Sequence, residues 1–438
     1  MARSTRWLIV ALSAAVVSGL EDFHAHFIGH YAFTQLPRFA WLVVFIGLIW
    51  VTTYAVGIPD EVGTAGDALV RATVAVGASA GVVSVIALLV AAPLLPRFVV
   101  LTSAALLAPL DAAVSVIALR GRRREGVAQR VLAVVEPSEA VTLVSELGRC
   151  PEHRALLAAT CRTSDVSGMA RRASLVELAE ADRANVLVLD RVAQADEHVV
   201  AQAAMLHGRG VRVRTLSLFY DEWLGKLPVG ELERVSLLFD VNELHRSIYP
   251  RVKRGLDVAI ASPGTLLCLL AAPLVALVNL AANPGPLFFR QQRVGKDGRL
   301  LTIVKFRTMP PHAGEPRWTV DDDPRVRAWG RLMRRTHLDE LPQFFNVLRR
   351  DLSVIGPRPE QPRYVEELRE KIPYYDLRHI VRPGLTGWAQ VKYGYGASEL
   401  DAYEKLQYDF YYLRHQSLGL DLRILGRTLR SIAGREGR

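Results

Sequence analysis

Over the first 120 positions apolar residues come in blocks rather than in alternation. Four runs stand out, roughly Trp7–Leu20, Phe39–Pro59, Ala72–Pro96 and Phe98–Leu119. A bilayer crossing takes about 20 apolar residues. The second and third runs qualify outright, the first is short, and the fourth carries Asp111. The first also fits the apolar stretch of a signal peptide behind Arg3 and Arg6, but no A-x-A cleavage site follows it. The pattern therefore predicts four transmembrane helices over 1–120, with Asp111 turned toward a neighbouring helix rather than lipid. Arg120, Arg122, Arg123 and Arg124 mark the end of the fourth as cytoplasmic. Four crossings return Arg3 and Arg6 to that same side.

The pattern changes over 128–248. Arg130–Val135 (RVLAVV), Asn185–Asp190 (NVLVLD) and Val211–Leu216 (VRVRTL) are short β-branched runs, with a helical stretch around Ala201–Leu206. This predicts a Rossmann-like α/β domain with a parallel sheet. The glycine-rich turn that lets backbone approach a pyrophosphate is missing, since Glu136-Pro137-Ser138-Glu139 follows the first run. A degenerate domain with a structural or regulatory role is the expectation.

After Lys253, Arg254 and Asp257 no charged residue occurs until Arg290, a stretch of 32 residues. One straight helix of that length would overrun a hydrocarbon core about 30 Å thick at 1.5 Å per residue. Pro273 interrupts it, and basic residues flank both ends. The reading adopted is a re-entrant helix over about 258–282, broken at Pro273, that returns to the face it entered. The alternative is a fifth full crossing, which would put everything after Arg290 outside the cell.

Composition sharpens the division. The 438 residues are 22% charged, yet only 12 charged residues fall in the first 120, against 86 in the remaining 318. That excludes a single soluble globule, a disordered tail protein and a purely embedded channel. The net charge of +10 favours an anionic partner. Cys150, Cys161 and Cys268 are too scattered for a disulfide framework or a zinc site.

The chemistry gathers after Gly285. Gly285-Pro286 leads to Arg290-Gln291-Gln292-Arg293-Val294-Gly295, then Lys305-Phe306-Arg307-Thr308-Met309, Asp322-Asp323-Pro324-Arg325 and Arg334-Arg335-Thr336-His337-Leu338-Asp339-Glu340-Leu341-Pro342-Gln343. Asp351-Leu352-Ser353-Val354-Ile355-Gly356-Pro357-Arg358-Pro359-Glu360 and Val381-Arg382-Pro383-Gly384-Leu385-Thr386-Gly387-Trp388 complete the series. Arginines and a lysine on Gly/Pro loops beside adjacent carboxylates suit a phosphoanion held with a divalent cation.

In this order the motifs resemble the bacterial sugar transferases, monotopic polyprenyl-phosphate glycosyl-1-phosphate transferases, over about Arg251–Leu429. The apolar start and Rossmann-like domain are similar to the larger members, which begin exopolysaccharide or O-antigen assembly. The resemblance implies a mixed α/β catalytic domain over 251–438. It also implies a phosphotransferase that moves a sugar 1-phosphate from a UDP-sugar to undecaprenyl phosphate and releases UMP, on the cytoplasmic face of the inner membrane. Carried over by position, Asp339 matches the nucleophile and Glu340 the residue that holds Mg²⁺. Arg334, Arg358 and Pro359 match phosphate and nucleotide contacts, and Lys305, Arg307 and Arg382 are grouped with them as substrate-binding. Lys253, Arg254 and Asp257 match the basic start of the re-entrant helix. The expected partners are UDP-sugar, undecaprenyl phosphate and the bilayer, with room for a homo-oligomer such as a dimer and with no nucleic acid.

Two features depart from the family pattern. The helix break usually carries Ser-Pro, where this chain has Ala272-Pro273, with Ser262-Pro263 as an earlier competitor; and His337 stands where a small polar residue is common. Simpler roles compete elsewhere. Asp321-Asp322-Asp323 before Pro324 suits a turn, and of His24, His26 and His30 only the last two share a helical face. Tyr408, Tyr411, Tyr412 and Trp388 fit either an interfacial belt or core packing. An inert scaffold and a nucleotide-sensing regulator are the rival functions, opposed by the intact Asp339–Glu340 pair and by the missing glycine turn.

Overall fold

The computed structural model describes residues 2–31, 36–59, 62–90, 95–124, 129–149, 155–167, 174–229, 248–309, 326–393 and 398–433. Asp321–Asp323, Arg325 and Cys150 lie outside them.

Four long helices open the chain: α1 (Ala2–His24), α2 (Leu36–Ala55), α3 (Ala65–Val90) and α4 (Arg97–Arg124). Each contains a segment long and apolar enough to cross a membrane. Their contacts form two layers. Ile9, Val56, Ala68, Ala72 and Ala112 meet at one end, and Val17, Phe45, Val83, Val99 and Leu107 meet toward the other. The start of α1, the end of α2, the start of α3 and the later part of α4 therefore share a level, as an up-down bundle requires. Asp111 is fully buried, inside the bundle as its charge demands. His26 is exposed beside Asp22, His24 Nδ1 lies 3.0 Å from the Tyr31 hydroxyl, and the histidines form no metal cluster among the described residues.

Residues Arg122–Asn242 form a compact unit of their own. Strands β1 (Gln129–Val134), β2 (Ala155–Cys161), β3 (Val186–Leu189) and β4 (Arg212–Thr215) make a sheet in the order β2-β1-β3-β4, parallel throughout. Helices α5 (Pro137–Arg149), α6 (Leu175–Ala181), α7 (Arg191–Ala195) and α8 (Glu197–Gly208) connect them. Strand β2 leaves no β-branched run in the sequence, because this edge strand is only half-buried and built largely of Ala and Leu. At the end of β1, where a nucleotide phosphate would seek amides, the Asp190 carboxylate already accepts from Glu136 N (3.1 Å) and Ala193 N (2.8 Å). An internal anion occupies those donors.

The rest of the chain, Glu243–Arg438, clusters with Met1–Gly121 as the second compact unit, so the expected separate membrane and catalytic domains are one body by contact. Helix α9 (Tyr249–Ala282) is followed by the antiparallel hairpin of β5 (Phe288–Val294) and β6 (Leu300–Phe306). Next come α10 (Ala328–Arg335), a 3₁₀ turn at Leu338–Glu340, α11 (Gln343–Leu348), β7 (Ser353–Ile355) and α12 (Pro362–Lys371). A 3₁₀ turn over Tyr375–Ile380 leads to β8 (Gly384–Thr386), which pairs parallel with β7, and then to α13 (Trp388–Lys392), α14 (Glu399–Arg414) and α15 (Leu418–Ala433).

The sequence pattern differs from the structure at α9. The helix begins at Tyr249 rather than 258 and runs as one element of 34 residues through both Pro263 and Pro273. Pro273 removes a single hydrogen bond from the ladder, and the neighbouring turns hold the helix together across it. One face, marked by Asp257, Ala261, Thr265, Cys268, Val275 and Asn279, is buried against the domain. Leu267, Leu270, Leu274 and Leu277 are exposed on the other. The tyrosine alternative resolves toward packing, because Tyr408 and Tyr412 are buried in the core with Trp388.

Candidate active site

Helix α10 ends at Arg335 with Thr336 as its cap, and His337 turns the chain through a left-handed conformation, φ 55°. A residue with a Cβ carries strain of about 1 kcal/mol or more there. The bend is closed by His337 N to Arg334 O and Glu340 N to His337 O, both 3.1 Å. It presents Asp339 and Glu340 on the short turn before α11.

Asp339 is only 8% exposed. Burial, reinforced by the neighbouring charge of Glu340, pushes its carboxyl up from 3.8 to about 6, against the pull of Lys305 and Arg334. Burial would raise Glu340 as well, but Lys305 and Arg358 outweigh it and hold that carboxyl well below its usual range. Lys305, on β6, donates to Glu340 Oε1 at 2.6 Å, and Arg358 Nη2 donates to the same oxygen at 3.4 Å. Glu340 Oε2 takes no bond from a described residue. Arg334 Nε donates to Thr308 Oγ1 at 3.0 Å, on the chain just past β6. Asp339, Glu340, Lys305, Arg334 and Arg358 are thus one constellation drawn from four segments.

The Arg358 loop is held by backbone. A Cβ on Gly356 would fall 2.4 Å from Arg382 O and 3.0 Å from Gly384 N, so the absence of a side chain lets the loops around β7 and β8 touch. Arg378 Nη2 holds the carbonyl of Arg358 at 3.1 Å, and Arg293 Nη1 holds that of Pro359 at 3.1 Å. Pro359 serves through its carbonyl and ring rigidity. Arg378 is itself buried against Asp409 at 2.8 Å. No sequence pattern marks Arg378 or Asp409; Arg378 stands three residues before Val381, and nothing local points to its partner 31 positions on. Arg382 is exposed at the edge of the same loops.

Four residues expected at the site or the membrane surface do other work. Arg307 is buried, and its guanidinium is spent on Pro286 O (2.7 Å), Asn283 Oδ1 (3.0 Å), Met309 O (2.8 Å) and Asn283 O (2.7 Å). It ties the end of α9 to the hairpin and has little left for substrate. Arg254 donates to Val347 O (2.7 Å) and Leu348 O (2.9 Å), a cation on the C-terminal carbonyls of α11. Lys253 pairs with buried Asp421 at 3.0 Å. Asp257 accepts from Ser353 Oγ and Val354 N, both 2.9 Å. The three clamp α9 to the domain.

Residues 248–435 match the family model described as bacterial sugar transferase. A sugar transferase of Bacillus subtilis is 39% identical over 163 residues, which are 37% of this chain and 77% of that protein. The chain belongs to the bacterial sugar transferase family. Within this family, a UDP-N-acetylgalactosamine-undecaprenyl-phosphate N-acetylgalactosaminephosphotransferase of Aeromonas hydrophila is 38% identical over 245 residues, 54% of this chain and 55% of that protein. A UDP-glucose:undecaprenyl-phosphate glucose-1-phosphate transferase of Escherichia coli strain K12 is 41% identical over 187 residues, 41% of this chain and 39% of that protein. The chain thus matches about half the length, or less, of these two larger sugar transferases.

Proposed function

We propose that the chain transfers a sugar 1-phosphate from a UDP-sugar to undecaprenyl phosphate and releases UMP, as the first membrane step of exopolysaccharide or O-antigen assembly. The observation that carries this reading is the buried Asp339 beside a Glu340 whose charge is held by Lys305 and Arg358. The relatives' activities agree with it, and an intact charged constellation argues against an inert scaffold.

In the first displacement an Asp339 oxygen attacks the sugar-linked phosphorus and the bond to UMP breaks, leaving a phosphosugar on the carboxylate. In the second, the phosphate oxygen of undecaprenyl phosphate attacks the same phosphorus and Asp339 leaves as a carboxylate. Lys305 and Arg334 favour the ionised form that attacks, and Arg334, Arg358 and Arg382 supply cationic forks for the diphosphate.

Mg²⁺ is the proposed cofactor, and the residues fit it. Burial and the adjacent Glu340 charge together raise the Asp339 carboxyl, and Glu340 Oε2 is free of described partners. A site of one or two carboxylates suits an ion that keeps waters and takes further ligands from substrate phosphates. Held by Glu340, it would neutralise charge developing on the diphosphate.

The cytoplasmic face of the inner membrane is the proposed location, with α9, continuous through Pro273, seated in one leaflet rather than crossing. Both ends of α9 are gripped by one domain, through Lys253 and Arg254 at the start and Asn283 at the end, which supports entry and exit on one side. The test is incubation of purified protein with labelled UDP-sugar and no lipid. Label should remain on the protein with a burst of about one UMP per site, absent in Asp339→Asn. No UMP before lipid is added, or label kept by the variant, would refute the covalent step. A panel of UDP-sugars in the same assay identifies the sugar.

A further inference from the structure

Helix α15 carries two stripes that face different parts of the molecule. Gly419, Arg423, Gly426 and Arg430, spaced by four, three and four, lie along one line of the helix. A Cβ on Gly419 would meet Tyr54 Oη at 3.2 Å, and one on Gly426 would fall 2.3 Å from the Ala55 carbonyl. The Arg423 guanidinium lies 5.3 Å from the centre of the Tyr54 ring. Arg430 Nη1 is 3.8 Å from Asp67 Oδ1. Asp67 also accepts from Arg71 Nε at 2.8 Å and Gly63 N at 3.1 Å, so this stripe rests on the end of α2 and the start of α3.

The opposite side of α15 belongs to the transferase core. Leu420 and Ile424 pack there with Trp388, and Asp421 accepts from the hydroxyls of Tyr249 (2.8 Å) and Tyr412 (3.1 Å). Thr428 Oγ1 lies 2.7 Å from Thr386 Oγ1 on β8, and the Arg427 guanidinium 5.0 Å from the centre of the Trp388 ring. One stiff helix joins the end of the membrane bundle to the loops that hold Arg358.

We infer that α15 fixes the depth of the Asp339 site relative to the membrane surface. A bundle of apolar spans cannot slide along the membrane normal without exposing apolar length, so the α2–α3 turn marks a constant level. The docked α15 carries that level into the catalytic domain. Depth matters to one substrate only. The phosphate of a polyprenyl lipid is confined to the membrane surface, whereas a nucleotide sugar arrives from solution. The bundle then acts as a gauge that lets the lipid phosphate meet the phosphosugar. This inference rests on the two-step transfer proposed above.

Gly426→Ala tests it in the full chain reconstituted in bilayer nanodiscs. The added Cβ collides with Ala55 backbone, which cannot rotate away, while alanine favours the helix itself. The UMP burst without lipid should match the wild type, which also reports an intact fold. Turnover with undecaprenyl phosphate should fall about tenfold, mainly through a raised KM for the lipid, since a misplacement near 1 Å costs up to about a hundredfold. Arg423→Ala combined with Arg430→Ala should act likewise. Wild-type lipid turnover in both variants, or a burst that falls in step with turnover, would overturn the inference. If the wild type gives no burst without lipid, the two-step reading fails instead. A raised KM for lipid with an unchanged KM for UDP-sugar would then still uphold the role of α15, and equal effects on both would overturn it.

Discussion

In Asp339→Asn a buried carboxylate becomes an amide of nearly the same shape, and the change should trade activity for stability. The carboxyl is raised from 3.8 to about 6 by burial and by Glu340. Each pKa unit corresponds to about 1.4 kcal/mol, so keeping Asp339 ionised in the folded chain costs on the order of 3 kcal/mol at neutral pH. The folded carboxyl binds its proton more tightly than the unfolded one. The cost is therefore full above about pH 6, shrinks as the pH falls, and is gone below the ordinary carboxylate value. Asparagine carries no such cost. Thermal unfolding without divalent cation should show the variant melting several degrees higher at about pH 8, since 1 kcal/mol moves Tm by roughly 2–4 °C in a domain of this size. The gain should disappear below about pH 3, where the carboxyl is protonated in the folded and unfolded chains alike. A variant no more stable at high pH, or one whose advantage persists in acid, would refute the claim that the site holds this charge against burial. In the same protein the UMP burst should be lost. The wild-type burst should itself decline as the pH drops through about 6, or lower with metal bound, because the protonated carboxyl does not attack.

Other expectations follow from the same geometry. Chelation should abolish turnover, and Glu340→Gln should lower the rate roughly a thousandfold and weaken its dependence on Mg²⁺; full activity in excess EDTA would contradict the metal assignment. Arg307→Ala should destabilise the protein by roughly 3 kcal/mol or more, through carbonyls left unpaired around Asn283 and Pro286, read as a fall in Tm that saturating UDP-sugar does not repair. Arg382→Ala should leave Tm nearly unchanged and raise the KM for UDP-sugar about tenfold, the worth of one charge-assisted bond; a large loss of stability would show a structural arginine instead. Single cysteines at exposed positions near Arg251 and Arg293 should both resist an impermeant external reagent, and labelling of only one would establish α9 as a full crossing.

Much of this architecture is readable without coordinates, because the signals are local. The four apolar runs become α1–α4, extended by a few residues at most ends, since each run states its own length and solvent. Three of four strands in the parallel sheet are visible as β-branched runs, and the Asp339–Glu340 pair is visible because its members are adjacent. The edge strand β2 is not, since small half-buried residues leave no period to read.

What tertiary structure alone decides is the partner of each charge. Lys305 and Glu340 are 35 positions apart, Arg254 and the α11 carbonyls more than 90, and Lys253 and Asp421 168. No local pattern distinguishes Arg307, consumed by three backbone carbonyls and the Asn283 side chain, from Arg358, which reaches Glu340, because both are arginines on short Gly/Pro-flanked motifs. The two faces of α15 are legible as stripes, but which one meets the membrane bundle follows from the fit of Gly426 against Ala55. A sequence states which groups can form bonds; the fold, by bringing distant segments within about 3 Å, chooses which bonds are made and leaves Asp339 a buried carboxylate beside Glu340.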